Sequence, residues 1–157
     1  MRTAFLNQFF WPDEAATSQL LGDVVAGGRG EMAVICGPAA YAGGGQGPAP
    51  EGVTIRRLRA GGFGHGKARK LVSYASFALG AAWQVAAGPR VDVMVSMTTP
   101  PLLGLLGWVA QRRGARHYVW EMDVYPDVAV ELGVFGRGGL ADRVTGWLAD
   151  FARRRAD

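Results

Sequence analysis

Two carboxylates, Glu121 and Asp123, follow the apolar and aromatic residues 118–120, which end a predicted buried strand over 116–120. Successive strand residues point to opposite faces, so acids two positions apart share one face at the strand's end. In open α/β sheets, ligands bind outside the carboxyl ends of the strands. A carboxylate placed there can accept a hydrogen bond from a substrate hydroxyl group or remove its proton. The spacing therefore marks Glu121 and Asp123 as candidate site residues.

The same segment also has a purely structural interpretation, which the sequence leaves open. Asp127 follows Pro126 and could cap a short helix, a position that aspartate favours. Asp123 could satisfy the backbone amides of its own loop, as loop aspartates commonly do. Under this interpretation the acids organise the loop and do no chemistry.

A second pair of acids, Asp13 and Glu14, follows the first predicted strand at 3–9. The turn after that strand lacks the three glycines of a dinucleotide-binding fingerprint. The two carboxylates lie at the start of the next predicted helix, where they would repel a pyrophosphate group. We therefore expect no nicotinamide or flavin cofactor.

Strands and helices alternate along the chain. Apolar runs predict strands at 3–9, 32–36, 91–97 and 116–120, and the alternation of apolar and basic residues at 53–58 predicts an edge strand. Helical spacing predicts helices from Asp13 to Gly27, over 67–87, from Thr99 to Gly114 and over 140–154, while glycine-rich stretches at 37–52 and 61–66 predict mobile loops. This order predicts a single three-layer α/β domain over residues 1–157, Rossmann-like and built on a parallel sheet.

Composition is that of an ordinary globular domain, with 157 residues, 49% of them hydrophobic and 19% charged. The single cysteine, Cys36, lies in an apolar run and predicts a buried thiol rather than a nucleophile. The first apolar run is interrupted by Asn7 and Gln8, which is not the pattern of a signal peptide.

The net charge of +4 is unevenly distributed, because residues 52–91 carry seven basic side chains and no acid. Such a stretch predicts an anionic partner. A membrane surface or a phosphate-bearing ligand is favoured over nucleic acid, since no nucleic-acid-binding motif accompanies the charge. The residues expected to face an anionic membrane are Arg56, Arg57, Lys67, Arg69 and Lys70.

The stretch 71–89 holds no charged residue, which raises the question of a transmembrane helix. Small and polar residues dilute its hydrophobicity, and a helix that covers a parallel sheet can be apolar on most of its surface. We therefore predict a core helix whose outer face leans towards a membrane.

Several motifs occur in an order that is more specific than any one of them: 7–16 (NQFFWPDEAA), 71–77 (LVSYASF), 98–102 (TTPPL), 120–127 (WEMDVYPD) and 154–157 (RRAD). Together they resemble the N-terminal domain of family 4 glycosyltransferases, in the branch that builds bacterial polysaccharides. The resemblance implies the N-terminal half of a GT-B fold and retaining transfer of a sugar from a nucleotide sugar, with no metal at the transfer step. It also implies a saccharide or lipid-linked acceptor and a cytoplasmic protein peripheral to the inner face of the cell membrane.

The resemblance also assigns residues. Asp123 matches the aspartate of the family's His-Asp pair, and Met122 stands at the histidine position, so the catalytic role passes to Asp123 and Glu121. The loops after the first and fourth strands match the family's substrate-facing loops. Their implied substrate-binding residues are Trp11, Asp13, Glu14, Ala15, Thr98 and Thr99.

Family members continue beyond the position of Asp157 into a second domain that binds the nucleotide sugar. The resemblance thus implies that these 157 residues are the acceptor-side half of an enzyme and are inactive alone. Two alternatives remain open at this point. One is a non-catalytic, membrane-docking half of a two-chain glycosyltransferase, and the other is an unrelated flavodoxin-like binding domain.

Overall fold

A five-stranded, fully parallel sheet with strand order β3-β2-β1-β4-β5 forms the centre of the molecule. The computed structural model describes residues 1–39, 48–61 and 66–157. The strands are β1 (Arg2–Leu6), β2 (Glu31–Cys36), β3 (Val53–Arg57), β4 (Val93–Met97) and β5 (Arg116–Trp120). The helices are α1 (Ala16–Gly27), α2 (Lys67–Ala87), α3 (Leu105–Arg112), α4 (Asp127–Glu131) and α5 (Leu140–Arg155). The predicted α/β class, with its parallel sheet, is confirmed.

Helices cover both faces of the sheet, which gives three layers. On one face, α1 buries Leu21 and Val25 against Phe5 and Val34 of the strands. On the other face, Phe77 of α2 is completely buried in a cluster that also contains residues of α3. Full burial of an aromatic or aliphatic side chain of this kind stabilises the fold by roughly 1.5–3 kcal/mol. The two apolar faces explain why the inner strands β1, β2 and β4 are hydrophobic along most of their length.

The strand order reverses direction between β1 and β4, which are neighbours at the centre of the sheet. Chain connections leave this point in opposite directions, and in open α/β sheets the ligand-binding crevice lies at such a point, at the carboxyl edge. The loops after β1, β4 and β5 each contain a cis X-Pro bond, at Pro12, Pro100 and Pro126 respectively. This edge holds the predicted site residues.

Three predicted boundaries at this edge are wrong. Strand β1 ends at Leu6 and not at residue 9, because the backbone amide of Gln8 turns away to bond the carbonyl of Thr99 at 2.9 Å. Asp13 does not cap α1, whose N-cap is Ala15 without a side-chain hydrogen bond. Helix α3 begins at Leu105 rather than directly after Thr99, since the intervening residues form turns.

Helix α2 has the predicted bounds and the predicted two-sided character. Ser73, Phe77 and Ala81 face the core, while Leu79 and Trp83 are each 74% exposed on the outer side. Within the described part of the chain, no helix combines the length and apolar character needed to cross a membrane. Helix α2 is thus the predicted core helix with exposed apolar side chains on its outer face, and the lean of that face towards a membrane stays a prediction.

Helix α5 packs through small residues and exposes its large ones. Ala149 and Ala152 are buried, and Ala152 lies so close to Gly104 that a Cβ added to the glycine would be 3.1 Å from the alanine Cβ. The apolar stripe of the helix contains Leu140 and Trp147, which are 81% and 66% exposed. The inner face of α5 thus packs closely through alanines, and the apolar stripe of the helix faces outward.

The predicted glycine-rich loops fall partly on residues 40–47 and 62–65, which lie outside the described residues. The predicted edge strand at 53–58 is β3, and it does lie at the edge of the sheet.

Cys36 is fully buried, as predicted, and burial raises the pKa of its thiol to about 11. The thiol is therefore protonated at neutral pH and is no nucleophile.

Candidate active site

Gln8 joins the loops of the carboxyl edge to one another. Its backbone amide donates to the Thr99 carbonyl at 2.9 Å, and its carbonyl accepts from the amide of Gly37 at 2.8 Å. Its side-chain Nε2 donates to Ser73 Oγ of α2 at 2.9 Å. One buried residue thus connects the ends of β1, β2 and β4 to the longest helix, which fixes the walls of the crevice.

Thr98, which directly follows the neighbouring strand β4, holds the loop after β5 in place. Its Oγ1 accepts hydrogen bonds from the backbone amides of Met122 at 3.2 Å and Asp123 at 3.1 Å. Thr98 is itself only 9% exposed, so its hydroxyl is held in place by its surroundings. The backbone that carries the Asp123 side chain is consequently anchored to the end of β4.

Glu121 is held by an ion pair. Arg153 Nε of α5 donates to Glu121 Oε1 at 2.7 Å, and the same guanidinium donates to Asp150 at 3.0 Å and to the Tyr125 carbonyl at 3.0 Å. The hydrogen bond to Glu121 raises the pKa of Arg153, so the guanidinium stays charged. Both side chains of the Glu121–Arg153 pair are about one-third exposed. Glu121 therefore braces the loop after β5 against α5.

Asp123 differs from Glu121 in its contacts. Among the described residues, its half-buried carboxylate has no hydrogen bond and no ion pair. Burial raises the pKa of the neighbouring Tyr125 phenol, and the negative charge of Asp123 raises it further. Tyr125 thus stays protonated near neutral pH, while the Asp123 carboxylate remains available to a donor from outside the chain.

Glu121, Asp123, Thr98 and Tyr125 all line one small cavity of about 30 Å³ between the loops after β4 and β5. A cavity of this size has room for about one or two water-sized groups, such as a substrate hydroxyl. The sheet topology and Thr98 therefore bring the two candidate catalytic carboxylates to the same pocket.

No protein-family model and no curated protein matches the chain.

A larger and more apolar groove of about 200 Å³ adjoins this cavity. Leu102 and Tyr125 line both spaces. Leu102 adopts φ 69°, a left-handed conformation that costs a non-glycine residue energy, so its packing is maintained against strain. The outer part of the groove is lined by Ala129, Leu132, Val134, Phe135 and Thr145.

Asp127 does not belong to this constellation. It lies in the first turn of α4 with Pro126 at the N-cap, and its carboxylate is 3.9 Å from Arg137. Both side chains are about two-thirds exposed. The capping interpretation for Asp127 is therefore wrong in detail, and its role is that of a first-turn acid at a helix N-terminus.

The loop after β1 places its predicted residues on the β2 side of the crevice. Asp13 is 5% exposed and close enough to raise the pKa of Cys36, while Glu14 is exposed. The Trp11 carbonyl accepts a hydrogen bond from Arg57. Ala15 is the N-cap of α1. These residues share the carboxyl edge with Asp123, and Thr99 is tied to the same loop through Gln8.

The predicted membrane-facing cations fall in different places. The Arg57 guanidinium is engaged by the carbonyls of Trp11 and Gly37, and Arg56 lines a groove near the amino ends of the strands. Arg69 and Lys70 are exposed on the first turn of α2. The side chain of Lys67 lies outside the described residues.

The sequence interpretation missed a buried polar pair, Ser96 and His117, whose Oγ and Nε2 atoms are 2.8 Å apart. Asp157 accepts from the backbone amide of His117 rather than from its ring, so the three residues do not form a catalytic triad. Burial lowers the pKa of His117, and Ser96 is completely buried. The pair is structural.

Within residues 1–39, 48–61 and 66–157, no cluster of three His, Cys, Asp or Glu residues suits a metal ion.

Arg153, Tyr125 and Gln8 were also missed. Arg153 belongs to a run of three arginines that is indistinguishable in sequence from a solvated helix end. Only the packing of α5 against α3 brings this arginine to Glu121.

Proposed function

We propose that this chain is the acceptor-binding half of a retaining glycosyltransferase that transfers a sugar from a nucleotide sugar to a lipid-linked polysaccharide precursor. The nucleotide sugar would be held mainly by a partner domain, as the motif resemblance implies. In this proposal Asp123 contacts the acceptor hydroxyl, and Glu121 holds the loop.

The main support for the proposal is that the carboxylates of Glu121 and Asp123 differ in their contacts. Glu121 is engaged by Arg153 at 2.7 Å, whereas the Asp123 carboxylate faces the same cavity without a hydrogen-bond or ion-pair partner among the described residues. A half-buried carboxylate that lacks a donor is disfavoured unless a ligand or water supplies one. A sugar hydroxyl supplies such a donor, and the carboxylate can accept its proton during transfer.

The adjoining apolar groove supports a lipid-linked acceptor. Because Leu102 and Tyr125 line both the groove and the cavity, a molecule whose hydroxyl reaches Asp123 can lay an apolar segment against Leu132 and Val134. These two side chains are 74% and 65% exposed, so covering them with a lipid removes apolar surface from water.

The test is calorimetric binding of a short polyprenyl diphosphate that carries one sugar, compared with the same sugar without the lipid. We expect saturable binding of the lipid-linked compound and much weaker binding of the free sugar. Replacing Leu132 and Val134 together by serine should weaken binding roughly tenfold to a hundredfold, from the lost apolar contact.

The matched control is Leu20→Ser, which changes an exposed leucine of α1 on the other side of the sheet and should leave binding unchanged. Equal binding of the free sugar would rule out the lipid-linked acceptor. Failure of both compounds to bind would contradict the acceptor-side assignment.

A second candidate function is a non-catalytic, membrane-docking half of a two-chain glycosyltransferase. It is favoured by the outer face of α2, where the exposed cations Arg69 and Lys70 directly precede the exposed Leu71 and Val72. Cations beside apolar side chains on one helix are typical of interfacial membrane binding.

Sedimentation with vesicles tests this surface. We expect the chain to bind vesicles that contain anionic phospholipid, with binding that falls steeply as salt rises. Each basic side chain near such a surface contributes roughly 1 kcal/mol, so changing Lys67, Arg69 and Lys70 to glutamate should reduce binding by about a hundredfold or more. Binding that resists salt would indicate insertion of Leu79 and Trp83, and Trp83→Ser would then reduce it. No binding to any vesicle would exclude the docking function.

A further inference from the structure

A basic groove of about 300 Å³ lies near the amino ends of the strands, at the edge of the sheet opposite the candidate active site. Its lining comes from the starts of β1 and β2, from β3, and from the segment between α2 and β4. Three arginines from three separate parts of the chain, Arg2, Arg56 and Arg90, converge on it.

The groove is open because the sheet is incompletely covered here. Ala33 of β2 and Thr54 of β3 are paired neighbours with small side chains, and no described residue of α2, which ends at Ala87, lines the groove. Arg113 fixes this end of α2 by donating to the carbonyls of Val85 and, at 2.7 Å, of Gly88. Arg113 therefore holds the end of α2 in place, and this fixes the position of Arg90 beside the groove.

The charges around the groove do not balance. Arg2 is paired with Glu31 at 2.8 Å, and Asp92 accepts from the Arg2 backbone amide at 2.7 Å and lies 4.0 Å from the terminal ammonium. Within the described residues, the side chains of Arg56 and Arg90 have no ion pair and no hydrogen bond. Arg56 and Arg90 therefore face a common space in which the lining carboxylate, that of Glu31, is already paired with Arg2.

We propose that this groove binds the phosphate group of a small anionic ligand. A phosphate carries close to two negative charges and accepts paired hydrogen bonds from guanidinium groups, which matches two arginines without partners. The groove volume is at the lower end of the range for small-molecule sites. The site is separate from the carboxylate pocket and does not depend on the glycosyltransferase proposal.

Cations near helix C-termini also stabilise the helix dipole, which gives a purely structural reason for arginines at this edge. At the end of α2, however, Arg113 already occupies the Val85 and Gly88 carbonyls. The two explanations differ in what the arginines do when a phosphate is added, so binding and melting experiments separate them.

The experiment titrates inorganic pyrophosphate into the chain by isothermal calorimetry at low ionic strength. We expect one saturable site, and a reduction in affinity of roughly tenfold to a hundredfold for each of Arg56→Gln and Arg90→Gln. The matched control is Arg143→Gln on α5, an exposed arginine far along the chain from the groove, which should leave the affinity unchanged. Thermal melts of all variants monitor the fold.

A second arm uses vesicles with and without anionic phospholipid, to separate a free phosphate ligand from a lipid headgroup. Vesicle binding that is lost in Arg56→Gln and Arg90→Gln, without any pyrophosphate binding, assigns the phosphate to a lipid. The proposal is overturned if neither probe depends on Arg56 and Arg90, or if Arg143→Gln reduces binding equally. It is also overturned if the two variants lower only the melting temperature.

Discussion

Replacing Asp123 by asparagine is expected to lower turnover by about a hundredfold or more in the two-domain enzyme proposed to contain this chain, the range typical for loss of a general base. Asparagine keeps the size and shape of the side chain but cannot accept a proton. The melting temperature should change little, because the carboxylate makes no hydrogen bond or ion pair among the described residues, and the backbone bond to Thr98 remains. Steady-state kinetics with saturating acceptor measure the effect.

Two other acids provide controls for this substitution. Asp127→Asn changes an exposed acid that is 3.9 Å from Arg137 and should leave turnover unchanged. Glu121→Gln removes the charge that Arg153 binds at 2.7 Å, so it should lower the melting temperature and reduce turnover indirectly, through the loop. If Asp123→Asn instead keeps full activity and lowers the melting temperature, Asp123 is a loop-bracing residue and the structural interpretation of this segment is correct.

Replacing Gly107 by alanine is expected to destabilise the domain strongly. A Cβ added to Gly107 would lie 2.0–2.2 Å from the ring atoms of His117, far inside van der Waals contact. The ring cannot move away without breaking its 2.8 Å hydrogen bond to Ser96, and both residues are buried. Such overpacking costs roughly 1–3 kcal/mol or more, which corresponds to a fall in melting temperature of about 3–10 °C for a chain of this size.

The matched control is Gly22→Ala in the middle of α1, where nothing lies within 4 Å of the added Cβ. Alanine is favoured over glycine inside a helix by roughly 0.5–1 kcal/mol, so this variant should be slightly more stable than the parent chain. Differential scanning calorimetry should therefore give shifts of opposite sign for the two variants. Stabilisation of both variants would mean that helix propensity, and not the contact with His117, decides the stability of both positions.

The regular elements of this domain were largely predictable because they depend on local patterns. The bounds of α2 and β5 follow from a run of helical spacing and from a short apolar run, and both agree with the structure. The errors fall where non-local contacts override the local pattern. The sequence pattern predicts Gln8 as part of a strand, but its backbone amide donates to the carbonyl of Thr99, in a loop that is distant in sequence.

The candidate site was predictable in its location and not in its internal organisation. Placing Glu121 and Asp123 at a strand end requires only the period of a strand. Deciding which acid is engaged requires knowing that Arg153 lies beside Glu121, and this depends on how α5 packs. That packing uses Ala149 and Ala152, whereas the conspicuous apolar residues of the helix, such as Trp147, face outward.

The central position of β1 has a consequence for how the nascent chain acquires its structure. Of the five strands, β1 is synthesised first, and it pairs on one side with β2 and on the other side with β4, where Thr3 lies opposite Val93, 90 residues later in the chain. At typical rates of synthesis, β4 follows β1 by roughly 5–20 s. During that interval β1, β2 and β3 can form a partial sheet with an open apolar edge on β1, a template for pairing with another chain. A chaperone, or a chain on a neighbouring ribosome, can therefore contact the central strand β1 before β4 and β5 have been synthesised.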